Sequence, residues 1–453
     1  MTAEERFLEA IDEEGGEELE PLASHDWPTT RCEGLKRRNR PVIDNFLGKG
    51  NRANAVLILP GYYGELLAWA LQRHIERKGW KIICALGYHS GQPSYVDVST
   101  DCDKSENILM DGQLLLERDH SHFIATVDLL WLRRSSVQVE GPARKKNEIE
   151  EFVNQVKSIA REENFYRGKK IEFARRIRPL KIKDMSWDSI ILNSAIKREL
   201  KANAIDFLKR AERWVEYGIP QKRGVLLAGE PGTGKTIICK ALMAEADGIT
   251  CIMTNAYTLS ADEYITDLYE MAQDLSPCIV FIEDIDLIGL NREEYNYQNG
   301  PALLSLLNVL DGIEQRQQIV TVATTNNPET LDKAIRQRPS RFDRVVKLSL
   351  PSLEERKELV NLLCQKIPLA EHAREYIARR TEHCTPAQIQ EVIYSLVIER
   401  HDGLSAAHAP DLEFRKDDID RAISRVNGRR QHIGFNFSDD HDGHKMACVA
   451  ALE

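Results

Sequence analysis

The segment Gly229-Glu230-Pro231-Gly232-Thr233-Gly234-Lys235-Thr236 constrains this chain more than any other stretch of it. It has the form G-x-x-x-x-G-K-[ST]. The apolar run Gly224–Leu227 before it reads as a buried strand, and I-I-C-K-A-L-M-A after it reads as a helix. In that strand–loop–helix setting the glycines let the backbone curl until successive N–H groups face a polyphosphate, and the positive end of the helix dipole adds to the attraction. Gly229, Glu230, Pro231, Gly232, Thr233, Gly234 and Ile237 then cradle or flank the phosphates of a nucleotide such as ATP. The Lys235 ammonium contacts the β- and γ-phosphates, and the Thr236 hydroxyl joins the coordination of Mg²⁺. A glycine-rich turn that binds nothing is the plain alternative.

About forty residues on, Cys278-Ile279-Val280-Phe281-Ile282 is continuously apolar, as a strand buried on both faces must be, and it ends in Glu283-Asp284-Ile285-Asp286. Carboxylates at the end of a parallel strand beside a phosphate loop reach the metal and the attacking water. Glu283 is the candidate metal holder, through water, and Asp284 the candidate that polarises the nucleophile. Capping of the following helix is the competing role for both. A third apolar run, Ile319–Ala323, ends in Thr324-Thr325-Asn326, and Asn326 is placed to orient water by hydrogen bonds. The arginines of Arg336-Gln337-Arg338-Pro339-Ser340-Arg341-Phe342-Asp343-Arg344 do not easily fold back onto their own phosphates. They suit a neighbouring copy's site, where guanidinium stabilises transition-state charge, or else a solvated helix end.

With these motifs in place the chain resembles the AAA ATPase family over roughly residues 186–430. The match rests on G-E-P-G-T-G-K-T (229–236), I-V-F-I-E-D-I-D (279–286), A-T-T-N-N-P-E-T-L-D (323–332), R-P-S-R-F-D-R (338–344) and, more weakly, C-T-P-A-Q-I (384–389). The resemblance implies an α/β fold: a Rossmann-like P-loop ATPase subdomain with a C-terminal helical lid, preceded here by a separate mixed α/β N-terminal domain. By it Lys235 and Thr236 are the Walker A pair, Glu283 and Asp284 Walker B, Asn326 sensor 1, and Arg338 and Arg341 trans-acting arginine fingers. Ile190 and Ile191, in W-D-S-I-I, fall where such proteins grip adenine. A homo-oligomeric ring, usually a hexamer, acting on a protein substrate is implied as well. The family's usual Asp-Glu order is inverted here. Exchanging the two moves each carboxylate by about 1.5 Å. That inversion, the short link 252–264 and Y-G-I-P-Q-K-R-G-V-L-L look most like the group of the mitochondrial Rieske-protein translocase, without its membrane span. Tyr257 stands where ring ATPases set a pore aromatic, although core packing is the expectation weighed above it for Tyr257 and Tyr264 alike. His383 occupies a lid position that is usually Gly. No H-E-x-x-H occurs, so the zinc protease fused to some membrane-bound relatives is not expected.

Charge narrows the partners. The net charge of −10 is carried by the ends, −8 in the first 20 residues and −3 in residues 438–453, which leaves the body at +1. Bulk electrostatics therefore give a nucleic-acid or membrane partner no support. The basic patches at 37–40, 144–146 and 175–178 keep nucleic acid open only as an alternative, in a loader or defence-type motor. The inverted carboxylates keep open a slow, nucleotide-gated scaffold. Nine cysteines without a C-x-x-C pair and an acidic N-terminus lead to the expectation of a cytoplasmic protein with reduced thiols. The expected domains are an acidic arm (1–24), an N-terminal α/β domain with helical linker (25–183), the large ATPase subdomain (184–350), the helical lid (351–430) and a polar tail (431–453).

Overall fold

Antiparallel and parallel pairing divide the strands between two sheets. The computed structural model describes residues 39–88, 91–129, 134–174, 176–182, 185–260, 262–290, 306, 309–310, 318–327, 342–367, 369–401 and 414–432. β1 (Arg52–Pro60), β2 (Lys81–Leu86), β3 (Ser94–Asp101), β4 (Lys104–Arg118), β5 (Ser121–Asp128) and β6 (Arg134–Pro142) form the antiparallel sheet, in the order β1-β6-β5-β4-β2, with β3 also on β4. Helix α1 (39–47) packs Leu47, Val42 and Phe46 against Leu115 and Ile124. Helices α2 (Gly64–Lys78) and α3 (Lys146–Glu162) bury Leu66, Leu67, Phe152 and Val156 in the main core. In α3 the apolar residues Ile149, Phe152, Val153 and Val156 recur at the helical spacing expected of an amphipathic helix.

The parallel sheet contains β7 (Lys170–Phe173), β8 (Ile177–Pro179), β9 (Lys222–Gly229), β10 (Thr250–Asn255), β11 (Cys278–Glu283), β12 (Ile319–Thr325) and β13 (Arg344–Leu348), in the order β13-β9-β12-β11-β10-β7-β8. β9, β12, β11, β10 and β7 pair in parallel. β8, within the basic stretch 173–183, turns back antiparallel on β7. Cys278 to Ile282 are all 0% exposed, as a strand covered on both faces must be; α5 (Asp262–Asp274) packs on this strand, and α4 (Lys235–Glu245) follows β9.

The chain divides into two compact units. One comprises the residues up to Trp187 with Arg198–Ala228 and Thr236–Val346; the other comprises Asp188–Lys197, Gly229–Lys235 and the chain from Lys347 on. Within the first, a single apolar cluster runs from Leu57, Leu66 and Phe123 of the antiparallel half to Leu268, Met271 and Ile282 of the parallel half. Tyr63 Oη donates to Asp274 Oδ2 at 3.1 Å, and the Arg167 guanidinium donates to the Asp274 carbonyl at 3.0 Å. The second unit is helical, with α6 (Leu353–Leu363), α7 (Glu371–Arg380), α8 (Pro386–His401) and α9 (Lys416–His432) around Val360, Ile377, Ile389, Val392 and Ile419. Among the described residues no helix is long and apolar enough to cross a membrane.

Candidate active site

β9, β12 and β11 lie side by side and parallel, so their carboxyl ends fall on one edge of the sheet, the edge at which ligands bind in open α/β folds. Asn326 follows β12 and Asp284 follows β11. Asn326 Nδ2 donates to Asp284 Oδ1 at 2.9 Å, and the Asn326 N–H donates to Asp286 Oδ1 at 3.3 Å. The Asp286 carboxylate is 5% exposed. Glu283, the last residue of β11, is half-buried, and its Oε1 is buried with no hydrogen-bond partner among the described residues. A buried carboxylate oxygen needs a donor or a cation, and an acceptor-only oxygen at this strand end fits a metal or a metal-bound water. Thr236 is exposed at the start of α4.

The phosphate loop belongs to the helical unit. Gly232 and Gly234 have φ of +84° and +92°, values that L side chains rarely adopt, as the curled loop requires. Lys235 is buried, and its ammonium donates to the carbonyls of Gly229 (2.7 Å) and Glu230 (3.0 Å). Thr233 Oγ1 donates to the Glu230 carbonyl at 2.8 Å and fastens the turn. The Ala387 N–H donates to the Gly232 carbonyl at 3.2 Å. A Cβ on Gly232 would lie 2.9 Å from Thr385 Oγ1, so this glycine is needed both for its φ and for the close approach of Thr385 and Ala387. C-T-P-A-Q-I opens α8. Thr385 and Gln388 exchange backbone and side-chain hydrogen bonds of 2.8 and 3.3 Å, a capping box with Pro386 in the first turn. His383, in the preceding turn, is exposed.

Other sequence candidates fall as follows. Ile237 is 52% exposed on α4, and Ile190 and Ile191 are half-buried after a 3-10 turn at Trp187–Ser189. Arg338 and Arg341 lie outside the described residues. Just after them Phe342 is buried, and Asp343 Oδ2 accepts from the Gly224 N–H at 2.8 Å, which anchors that segment to the start of β9. Tyr257 is 88% exposed, so the core packing weighed for it is not what the fold shows. A hydrogen bond between Ala256 N–H and the Glu283 carbonyl (3.0 Å) ends the β10 pairing and turns the next residue outward. Tyr264 does pack against the core, edge-on to Phe173 at 6.4 Å. Sequence reasoning passed over Thr324 and Asp286; both are polar residues in otherwise apolar strand-end motifs, and that was the available signal.

Residues 225–350 match the model described as ATPase family associated with various cellular activities (AAA). Among curated relatives, the chain is 35% identical over 238 residues to the ATP-dependent zinc metalloprotease FtsH 3 of Synechocystis sp., covering 49% of this chain and 36% of the relative. It is 29% identical over 263 residues to the proteasome-activating nucleotidase of Methanococcus maripaludis, covering 56% of this chain and 63% of the relative. A cell division cycle protein 48 homolog of Archaeoglobus fulgidus is 35% identical over 199 residues, 42% of this chain and 27% of the relative. The chain thus spans less than two thirds of the length of each of these relatives. Over residues 225–350 this chain is thus similar to the ATPase domain of the AAA family.

Proposed function

We propose that this chain is a Mg²⁺-dependent ATPase that assembles as a homo-oligomeric ring of six copies and uses hydrolysis to remodel or translocate a protein substrate selected by its N-terminal domain. The observation that carries the reading is the 2.9 Å hydrogen bond from Asn326 to Asp284 beside the unpartnered Glu283 oxygen. Lys235 and the loop amides hold the ATP phosphates. Thr236 and Glu283 hold the metal, which when bound neutralises charge on the phosphate oxygens. Asp284 and Asn326 orient and polarise water for in-line attack on the γ-phosphate. Arg338 and Arg341 act on the nucleotide of the neighbouring copy. The Glu-Asp order and the short link 252–264 favour the Rieske-translocase-like group within the family. Names that refer to proteolysis and to the proteasome among the relatives favour a protein substrate, as does the exposed Tyr257 ring. The near-neutral body speaks against a nucleic-acid substrate.

Phosphate release from the purified chain, titrated with unfolded protein, DNA and RNA at two salt concentrations, tests the substrate class. Stimulation by unfolded protein that persists at the higher salt is expected. Stimulation by nucleic acid alone, collapsing with salt, points to a motor of the other class. For the arginines, Lys235→Ala and Arg341→Ala copies are mixed. Partial recovery of activity is expected, and no recovery at any ratio rules out action in trans.

A further inference from the structure

The turn after β11 is held by more than Asn326. Asp284 has φ +52°, in the left-handed region that a residue with a Cβ disfavours. Two successive N–H groups of that turn are taken by one residue of the neighbouring strand. The Asp284 N–H donates to Thr324 Oγ1 at 2.9 Å, and the Ile285 N–H donates to the Thr324 carbonyl at 2.9 Å. Thr324 is 2% exposed and sits two residues before Asn326, whose side chain takes the Asp284 carboxylate. The end of β12 therefore grips Asp284 twice, by its N–H and by its carboxylate. A side chain without an acceptor at 324 leaves the Asp284 N–H unpaired. The backbone then has every reason to relax to negative φ, and that swings the carboxylate off Asn326.

We propose that Thr324 is a positioning residue of this ATPase site: its buried hydroxyl holds Asp284 in the left-handed conformation that aims the carboxylate at Asn326. The inference rests on the reading of Asp284 as the residue that polarises water, and Thr324 acts through Asp284 alone.

The test uses the full chain and measures steady-state phosphate release together with binding of a fluorescent ATP analogue. Thr324→Val should lower kcat by about 100-fold, with KM and analogue affinity within about threefold of the parent. Thr324→Ser, which restores the hydroxyl, should recover kcat to within about fivefold. Adding Thr324→Val to Asp284→Asn should slow the chain no further, because both changes remove the same function. Should the Val variant fail to fold, Thr324→Ala is compared with Thr324→Ser in the same assays. Parental turnover in Thr324→Val while Asp284→Asn stalls would overturn the proposal and leave the Asp284 reading standing. Losses that multiply in the double variant, or a Ser variant as slow as the Val one, would also overturn it. Parental turnover in Asp284→Asn itself removes the underlying reading, and the positioning role with it.

Discussion

The two sheets of the first unit share one apolar cluster yet deliver different things, and the difference lies in strand direction rather than composition. In the parallel sheet the carboxyl ends of β9, β12, β11, β10 and β7 fall on the same edge, so V-F-I-E-D and A-T-T-N converge and Asp284 meets Asn326 across neighbouring strands. In the antiparallel sheet alternate ends point to opposite edges, and polar residues at strand ends are scattered. That sheet contributes a packed body whose α2 end is bonded to α5 through Tyr63 and Asp274.

Legibility in the sequence followed the same division. β9, β11 and β12 were readable because strands buried on both faces are continuous apolar runs, and each ended in a motif whose chemistry is specific. β4, with 15 residues the longest strand among the described residues, is not legible as a strand in the sequence. Its stretch I-L-M-D-G-Q-L-L-L is rich in leucine and lacks period-two alternation, because α1 covers one face and α2 the other and Leu114, Leu115 and Leu116 are all buried. β8 was hidden in a basic connector, since an edge strand of three residues needs no apolar run. α7 was missed as well: E-H-A-R-E-Y-I-A-R-R is mostly charged, with only a narrow stripe of Ala373, Ile377 and Ala378 buried. The Asp284–Asn326 pairing was legible as two residue types, but its left-handed turn and the Thr324 hydroxyl were not, because backbone conformation is set by the neighbouring strand.

Three substitutions separate the roles of the two sheets. The largest effect is expected from Lys235→Ala, which should cut nucleotide affinity by about 100-fold or more. It should leave thermal unfolding without nucleotide nearly unchanged, since its ammonium is held by carbonyls of the loop itself, those of Gly229 and Glu230. A collapse of the fold would show that the loop is structural. Tyr63→Phe should cost about 1–2 kcal/mol in denaturant unfolding by removing the bond to the Asp274 carboxylate, with turnover per folded molecule preserved. No change in stability would mean the two halves are not joined at that point. The smallest effect concerns pH. His74, on α2, is 2% exposed; burial, aided by Lys78 and Arg118, lowers its pKa from 6.5 to about 4. The unfolded imidazole takes up its proton near 6.5 and the folded one only near 4, so between these values protonation favours the unfolded chain. Stability is complete above pH 6.5 and falls as the pH drops toward 4, and a His74→Phe variant should flatten that slope. An unchanged slope would place the acid sensitivity elsewhere.

On the proposed reading Asp284, held by β12, makes this domain hydrolyse ATP rather than merely bind it. Turnover and nucleotide affinity measured on one preparation of Asp284→Asn test it most directly. Analogue binding within about threefold of the parent and phosphate release slowed by about 100-fold or more are expected. Parental phosphate release in that variant would contradict the account and move the catalytic role to Glu283.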